Sequence, residues 1–120
     1  MRIRSLGLSL IVLFALAGTR AEAAPPDGAT LFNQNCVACH GPTGAGDGPA
    51  AAALDPKPRK LGSADIMGKI SDEQIAKVVK NGGAANGKSA LMPPFAQLSD
   101  ADVKALIAHI RSLCKCSFKS

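Results

Sequence analysis

The sequence predicts an all-α domain. Apolar residues recur at helical spacing in two stretches of the C-terminal half, and a serine-led capping signal stands before each. No stretch alternates apolar and polar residues as a half-buried strand does. Most of the 12 glycines and 8 prolines fall between the periodic segments, so helices are separated by punctuated loops.

The first 23 residues are set apart from that domain. Arg2 and Arg4 precede an apolar run from Leu6 to Ala17, and Ala21 and Ala23 occupy the minus-three and minus-one places of an A-x-A cleavage site. This pattern predicts a secretory signal peptide over Met1 to Ala23 and export to the periplasm. The competing reading is a membrane anchor, but the run holds 12 residues, fewer than the roughly 17 that cross a bilayer. An uncleaved tail stays open as the lesser alternative. The remaining domain is 24–120, small enough that its core is limited. Without Arg2, Arg4, Arg20 and Glu22 the formal charge of +5 falls to about +3. There is no basic run and no interleaved aromatic set, so nucleic acid is not an expected partner.

Each helix has a local signal. Asp27 can cap a first helix that runs into Cys36-Val37-Ala38-Cys39-His40, with Leu31 and Phe32 on its apolar side. Gly41 to Pro49 and Asp55 to Arg59 carry too many breakers for regular structure, with a helical turn expected over Ala50 to Leu54. A loop of that length in so small a domain needs something to wrap. A short helix is expected around Ala64 to Lys69. Ser71 and Gln74 have the spacing of a capping box, and Ile75, Val78 and Val79 form one stripe before Asn81-Gly82 ends it. Ser99 can cap a terminal helix in which Val103, Leu106, Ile107, Ile110 and Leu113 follow the amphipathic pattern. Cys114 and Cys116 lie beyond that periodic part. A bridge closing a small ring, intermolecular bridges, free thiols and a metal site all remain open for them, and no function is assigned.

The most informative segment is Cys36 to His40, because C-x-x-C-H is the attachment signature of a c-type haem. In that reading Cys36 and Cys39 add to the haem vinyl groups as thioethers and His40 becomes the proximal iron ligand. Two other readings compete. A thioredoxin-like pair would open a helix after a strand, and nothing before Cys36 alternates as a strand. Half of a zinc site is the other, with Cys114 and Cys116 completing it. Their one-residue spacing is tighter than the two to about four usual in structural zinc sites.

On these residues the segment from Pro26 to Leu113 resembles a small class I cytochrome c, a monohaem carrier. Gly28 and Phe32 stand eight and four residues before Cys36, where that family has the small and aromatic residues that cross its C-terminal helix. Leu106 matches the leucine of the partner helix, while His109 stands where the family commonly has tyrosine. The only other histidine, His109 is therefore expected as a packing residue rather than an iron ligand. Leu91-Met92-Pro93-Pro94-Phe95 resembles the family's axial-methionine loop, so the resemblance implies Met92 as the sixth ligand and Met67 as a core methionine. It also implies second-shell roles for Pro49, whose carbonyl in Gly48-Pro49 would accept the His40 ring proton, and for Arg59, which would pair with a haem propionate. An ordinary solvated arginine is the competing reading of Arg59.

The resemblance implies one covalently attached haem c and single-electron shuttling, with no enzymatic activity. A haem enzyme or gas-binding protein is the alternative, and it needs a labile sixth position and distal groups poised for chemistry. The implied partners are a redox donor and acceptor, membrane-bound oxidase or reductase complexes among them, met by a soluble monomer. Lys57, Lys60, Lys69, Lys77, Lys80 and Lys88 are candidates for steering an acidic partner, against the plainer reading that they serve solubility.

Overall fold

Three short polar side chains start the three main helices, and each does so by accepting an otherwise orphaned backbone N–H. In the computed structural model, which describes Gly18, Ala24 and residues 26–120, Asp27 accepts from the Thr30 amide at 2.9 Å and opens α1, Gly28–Asn35. The signal-peptide expectation over Met1 to Ala23 falls, Gly18 aside, outside the described residues. The Ser71 hydroxyl accepts from the Gln74 amide, and the Gln74 side chain answers the Ser71 amide, at the start of α4, Asp72–Asn81. Ser99 and Asp102 make the same reciprocal box before α5, Asp100–Cys114. Between α1 and α4 come α2, Val37–His40, and α3, Ala64–Met67, with single 3₁₀ turns at Ala51–Ala53 and Ala84–Asn86. No strand occurs among the described residues.

The expected continuous first helix is broken. Cys36 adopts φ −120° and ψ −31°, outside helical geometry, although its amide still bonds the Phe32 carbonyl at 2.8 Å. The C-x-x-C-H segment is thereby a separate turn, α2, set on the end of α1.

The core forms where α1 meets α5. Phe32 is fully buried and Leu106 is 1% exposed, each burial worth roughly 1.5–3 kcal/mol. A Cβ at Gly28 would overlap the Ala105 carbonyl oxygen, so glycine is what lets the two helices come together there. His109 takes the aromatic role at this crossing, its ring centroid 5.0 Å from that of Phe32 at an interplanar angle of 52°. Along α5 the buried residues are Val103, Leu106, Ile107, Ile110 and Cys114. Cys114 is thus the last residue of the helix and part of its apolar stripe, and Leu113 beside it is half-buried.

Polar ties hold the shorter elements to this frame. Arg111 bonds the Met67 carbonyl through Nη1 at 2.7 Å, the Ile70 carbonyl through Nη2, and Asp72 Oδ1 through Nε at 2.8 Å. One guanidinium therefore pins the end of α3 and the start of α4 against the last turn of α5. At the other end of α4, Lys80 donates to the Leu98 carbonyl at 2.6 Å and pairs with Asp100 at 3.2 Å.

The caps make stability depend on acid. Hydrogen bonds from the Ser99 hydroxyl and amide hold the Asp102 carboxyl below its ordinary value of 3.8, and bonds from the Thr30 amide and hydroxyl do the same for Asp27. A carboxyl lowered in the folded state contributes fully above its unfolded value and loses that contribution as the pH falls through the folded one. Asp102→Ala is therefore expected to lower the melting temperature at pH 7, with the gap to the parent closing only as the pH falls below the ordinary carboxyl value of 3.8. Thermal melts followed by circular dichroism between pH 7 and pH 2 check this, and a gap independent of pH would contradict it.

Candidate functional site

A cleft of about 780 Å³ opens on one side of the core, within the size range of small-cofactor sites. Cys36, Cys39 and His40 line it together, because Cys36 is the cap residue of the α2 turn that carries Cys39 and His40. Met92 lines it as well, arriving from the loop that follows α4. Its apolar walls are core side chains, among them Ile75, Val79, Leu106 and Ile110. The long punctuated loop supplies another part of the lining through Leu54, Pro58 and Leu61 and so folds over the cleft.

His40 is oriented by its second ring nitrogen. Nδ1 lies 2.9 Å from the Arg59 carbonyl oxygen, to which it donates, and the proton on Nδ1 leaves Nε2 with the ring's lone pair. Burial holds the imidazole below its ordinary value of 6.5, partly offset by that hydrogen bond, so the ring is neutral at pH 7. The expectation that Pro49 supplies this acceptor is corrected. The Gly48 and Ala50 amides bond the carbonyls of Cys39 and Ala38 at 3.1 and 2.9 Å, which turns this loop onto the backbone of α2 and leaves Pro49 exposed. Arg59, expected only as a propionate partner, supplies the acceptor through its main chain.

The Met92 loop is sewn to the end of α4. The Gly83 amide bonds the Met92 carbonyl at 3.0 Å, the Lys88 amide bonds the Gly83 carbonyl at 2.8 Å, and the Phe95 amide bonds the Val79 carbonyl at 2.9 Å. Gly82, at φ 77°, turns the chain out of the helix, and a Cβ at Gly83 would overlap the Ser89 carbonyl oxygen. Met67 also reaches the cleft wall, so lining the cleft does not by itself separate the two methionines, although Met67 is 1% exposed and Met92 only half-buried.

The competing readings of Cys36 and Cys39 lose their support here. Reactive redox cysteines have lowered pKa values, whereas burial and the neighbouring Cys39 push the Cys36 thiol up to about 11. A zinc site shared with Cys114 and Cys116 is not formed: those two are bonded to each other and neither lines the cleft. Among the described residues no group of three or more histidine, cysteine or carboxylate side chains is placed to hold a metal ion.

A family model for cytochrome c matches residues 26–114. The chain belongs to the cytochrome c family. It is similar to a solved structure, the KustC0563 c-type cytochrome, at 31% sequence identity and a TM-score of 0.60, over 73% of this chain and 98% of that one. No curated protein matches it. The helices and loops form the class I cytochrome c fold, the cofactor is covalently bound haem c, and the activity is haem-based electron transfer. The cleft fits that group: two thiols and a neutral imidazole on one turn, a thioether from a second loop, and an apolar wall for a flat macrocycle. No helix among the described residues is long and apolar enough to cross a membrane.

Five of the six candidate lysines, Lys57, Lys60, Lys69, Lys77 and Lys88, stand at the cleft. Lys80 does not, being tied to Leu98 and Asp100. Lys77 pairs with Glu73 at 3.1 Å, and Lys57 caps the carbonyls of Ala51 and Ala52, both at 2.9 Å.

The stitching of the methionine loop gives a direct test. Gly83→Ala forces the Ser89 to Met92 turn away from α4 and is expected to cost about 1–3 kcal/mol of stability, as overpacking does. Denaturant unfolding measures it; a loss below about 0.5 kcal/mol would mean that the turn shifts freely.

Proposed function

We propose that the chain is an exported monohaem electron carrier, with haem c joined to Cys36 and Cys39 by thioether bonds and its iron ligated by His40 and Met92. The observation that carries this is the convergence of these four side chains on one cleft walled by core residues. Haem c supplies an iron centre that gains and gives up one electron. Cys36 and Cys39 fix its position covalently. His40 is held with Nε2 as donor atom by the Arg59 carbonyl. Met92 is a soft neutral donor that favours the reduced state relative to a second imidazole. Its loop is pinned to α4, so the donor atom keeps its place when the charge changes.

The residues at the cleft favour a carrier over a haem enzyme. Among the described residues no carboxylate lines it, and His109 is engaged with Phe32 at the helix crossing. General acid–base chemistry on a bound small molecule thus lacks a carboxylate or a second imidazole at the cleft. Lys60, Lys69 and Lys88 give the mouth positive potential that suits an acidic redox partner and a salt-sensitive encounter. The exposed Arg59 guanidinium is suited to a haem propionate. Met1 to Ala23 would be the leader that delivers domain 24–120 to the periplasm, where a soluble monomer meets its donor and acceptor.

The two methionines decide the ligand set. Met92→His is expected to lower the midpoint potential by more than about 59 mV, a tenfold change in the one-electron equilibrium, because imidazole stabilises the ferric state. Met67→Leu is expected to leave it close to the parent value. Spectroelectrochemical titration of both variants measures this, and the reverse pattern would assign the sixth ligand to Met67.

A further inference from the structure

Cys114 and Cys116 are outside everything that the cleft uses. They are bonded to each other, and neither lines the cleft. A cross-link stabilises mainly by removing entropy from the unfolded chain, and the gain shrinks with the loop enclosed. A bridge across Lys115 alone encloses one of the smallest loops a chain can form, so stabilisation is a weak account of it.

The surroundings of the two sulfurs differ. Arg111 Nη1 lies 3.8 Å from Cys116 Sγ, and the same guanidinium is anchored by the Met67 carbonyl at 2.7 Å and by Asp72 Oδ1 at 2.8 Å. Cys114 Sγ lies 3.5 Å from the Arg111 carbonyl oxygen and 3.8 Å from that of Cys116. A fixed cation favours a thiolate, whereas carbonyl oxygens accept from a neutral thiol and disfavour its anion. Exposure divides them in the same sense: Cys114 is 5% exposed, while Cys116 is only partly buried. The pocket therefore suits the reduced pair as well as the bridge, with a reachable thiolate at Cys116 and a buried thiol at Cys114.

We propose that Cys114 and Cys116 form a thiol–disulfide exchange site, a two-electron centre separate from the haem cleft, whose substrate is a dithiol. A donor thiolate attacks Cys116 Sγ, the Cys114–Cys116 bond breaks, and Cys114 leaves with the bonding pair and takes up a proton. The donor's second thiolate attacks the donor sulfur of the mixed disulfide, closing the donor's own disulfide and releasing Cys116 as a thiolate beside Arg111. The donor is oxidised by two electrons and the bridge is reduced by two. One donor proton ends on Cys114 and the other in solvent.

The test uses the holoprotein in mixtures of reduced and oxidised dithiothreitol at pH 7, quenched with iodoacetamide and mapped by peptide mass spectrometry, with circular dichroism followed alongside. A reversible two-thiol transition confined to Cys114 and Cys116 is expected, with helix content unchanged and Cys116 labelled at least about tenfold faster than Cys114. In a Cys114→Ser variant, which keeps Arg111, Cys116 labelling should reach half its maximal rate below pH 8.5, roughly the value for a free thiol. Adding Arg111→Gln should move that midpoint upward. Reduction only on unfolding, equal labelling of the two cysteines, or a Cys116 midpoint at or above the free-thiol value would overturn the proposal.

Discussion

The residues that hold the helices together are the residues that wall the cleft. Met67, Ile75, Val79, Leu106 and Ile110 belong to the core cluster and also line the site. A domain of this size has little apolar surface to spare, so it cannot keep a separate core behind a separate binding pocket. Binding and folding are consequently one problem in this chain. A covalently held macrocycle adds apolar area to the same cluster, which is how so short a sequence with so many loop residues obtains a stable interior.

From that constraint follows the division of labour between helices and loops. The α1–α5 crossing, built on Gly28, Phe32, Leu106 and His109, is the frame. In the ligand set proposed above, the ends of two other helices carry the chemistry. His40 closes α2 and is oriented by the Arg59 carbonyl from the long loop, while the Met92 loop is bonded back onto the end of α4. His40 thus stands on a single helical turn and Met92 on a loop whose backbone is bonded to a helix, which fixes both side chains without a strand or long helix beneath them.

What could be read from the sequence was whatever is local. Asp27, Ser71 and Ser99 announce helices because a cap is satisfied within three residues, and C-x-x-C-H is legible because one turn contains the whole constellation. The acceptor for His40 was not legible, since a backbone carbonyl has no residue signature and Arg59 lies 19 positions away. Pro49 lies closer in sequence, but its loop is bonded to the backbone of α2. Arg111 carried no signal either, because its partners at Met67, Ile70 and Asp72 are brought to it only by the packing of α3 and α4 on α5. The end of α5 shows how small the margin is: Leu113 and Cys114 both suit an apolar stripe, and the helix buries Cys114 more fully.

The central claim is that one haem is bonded to this chain through Cys36 and Cys39. Mass spectrometry of the denatured, reduced protein and of its proteolytic peptides tests it most directly. The expected result is the mass of the polypeptide plus one haem, with the added mass on the peptide containing Cys36, Val37, Ala38, Cys39 and His40. Free thiols at both cysteines, with all haem lost to acid-acetone, would contradict it.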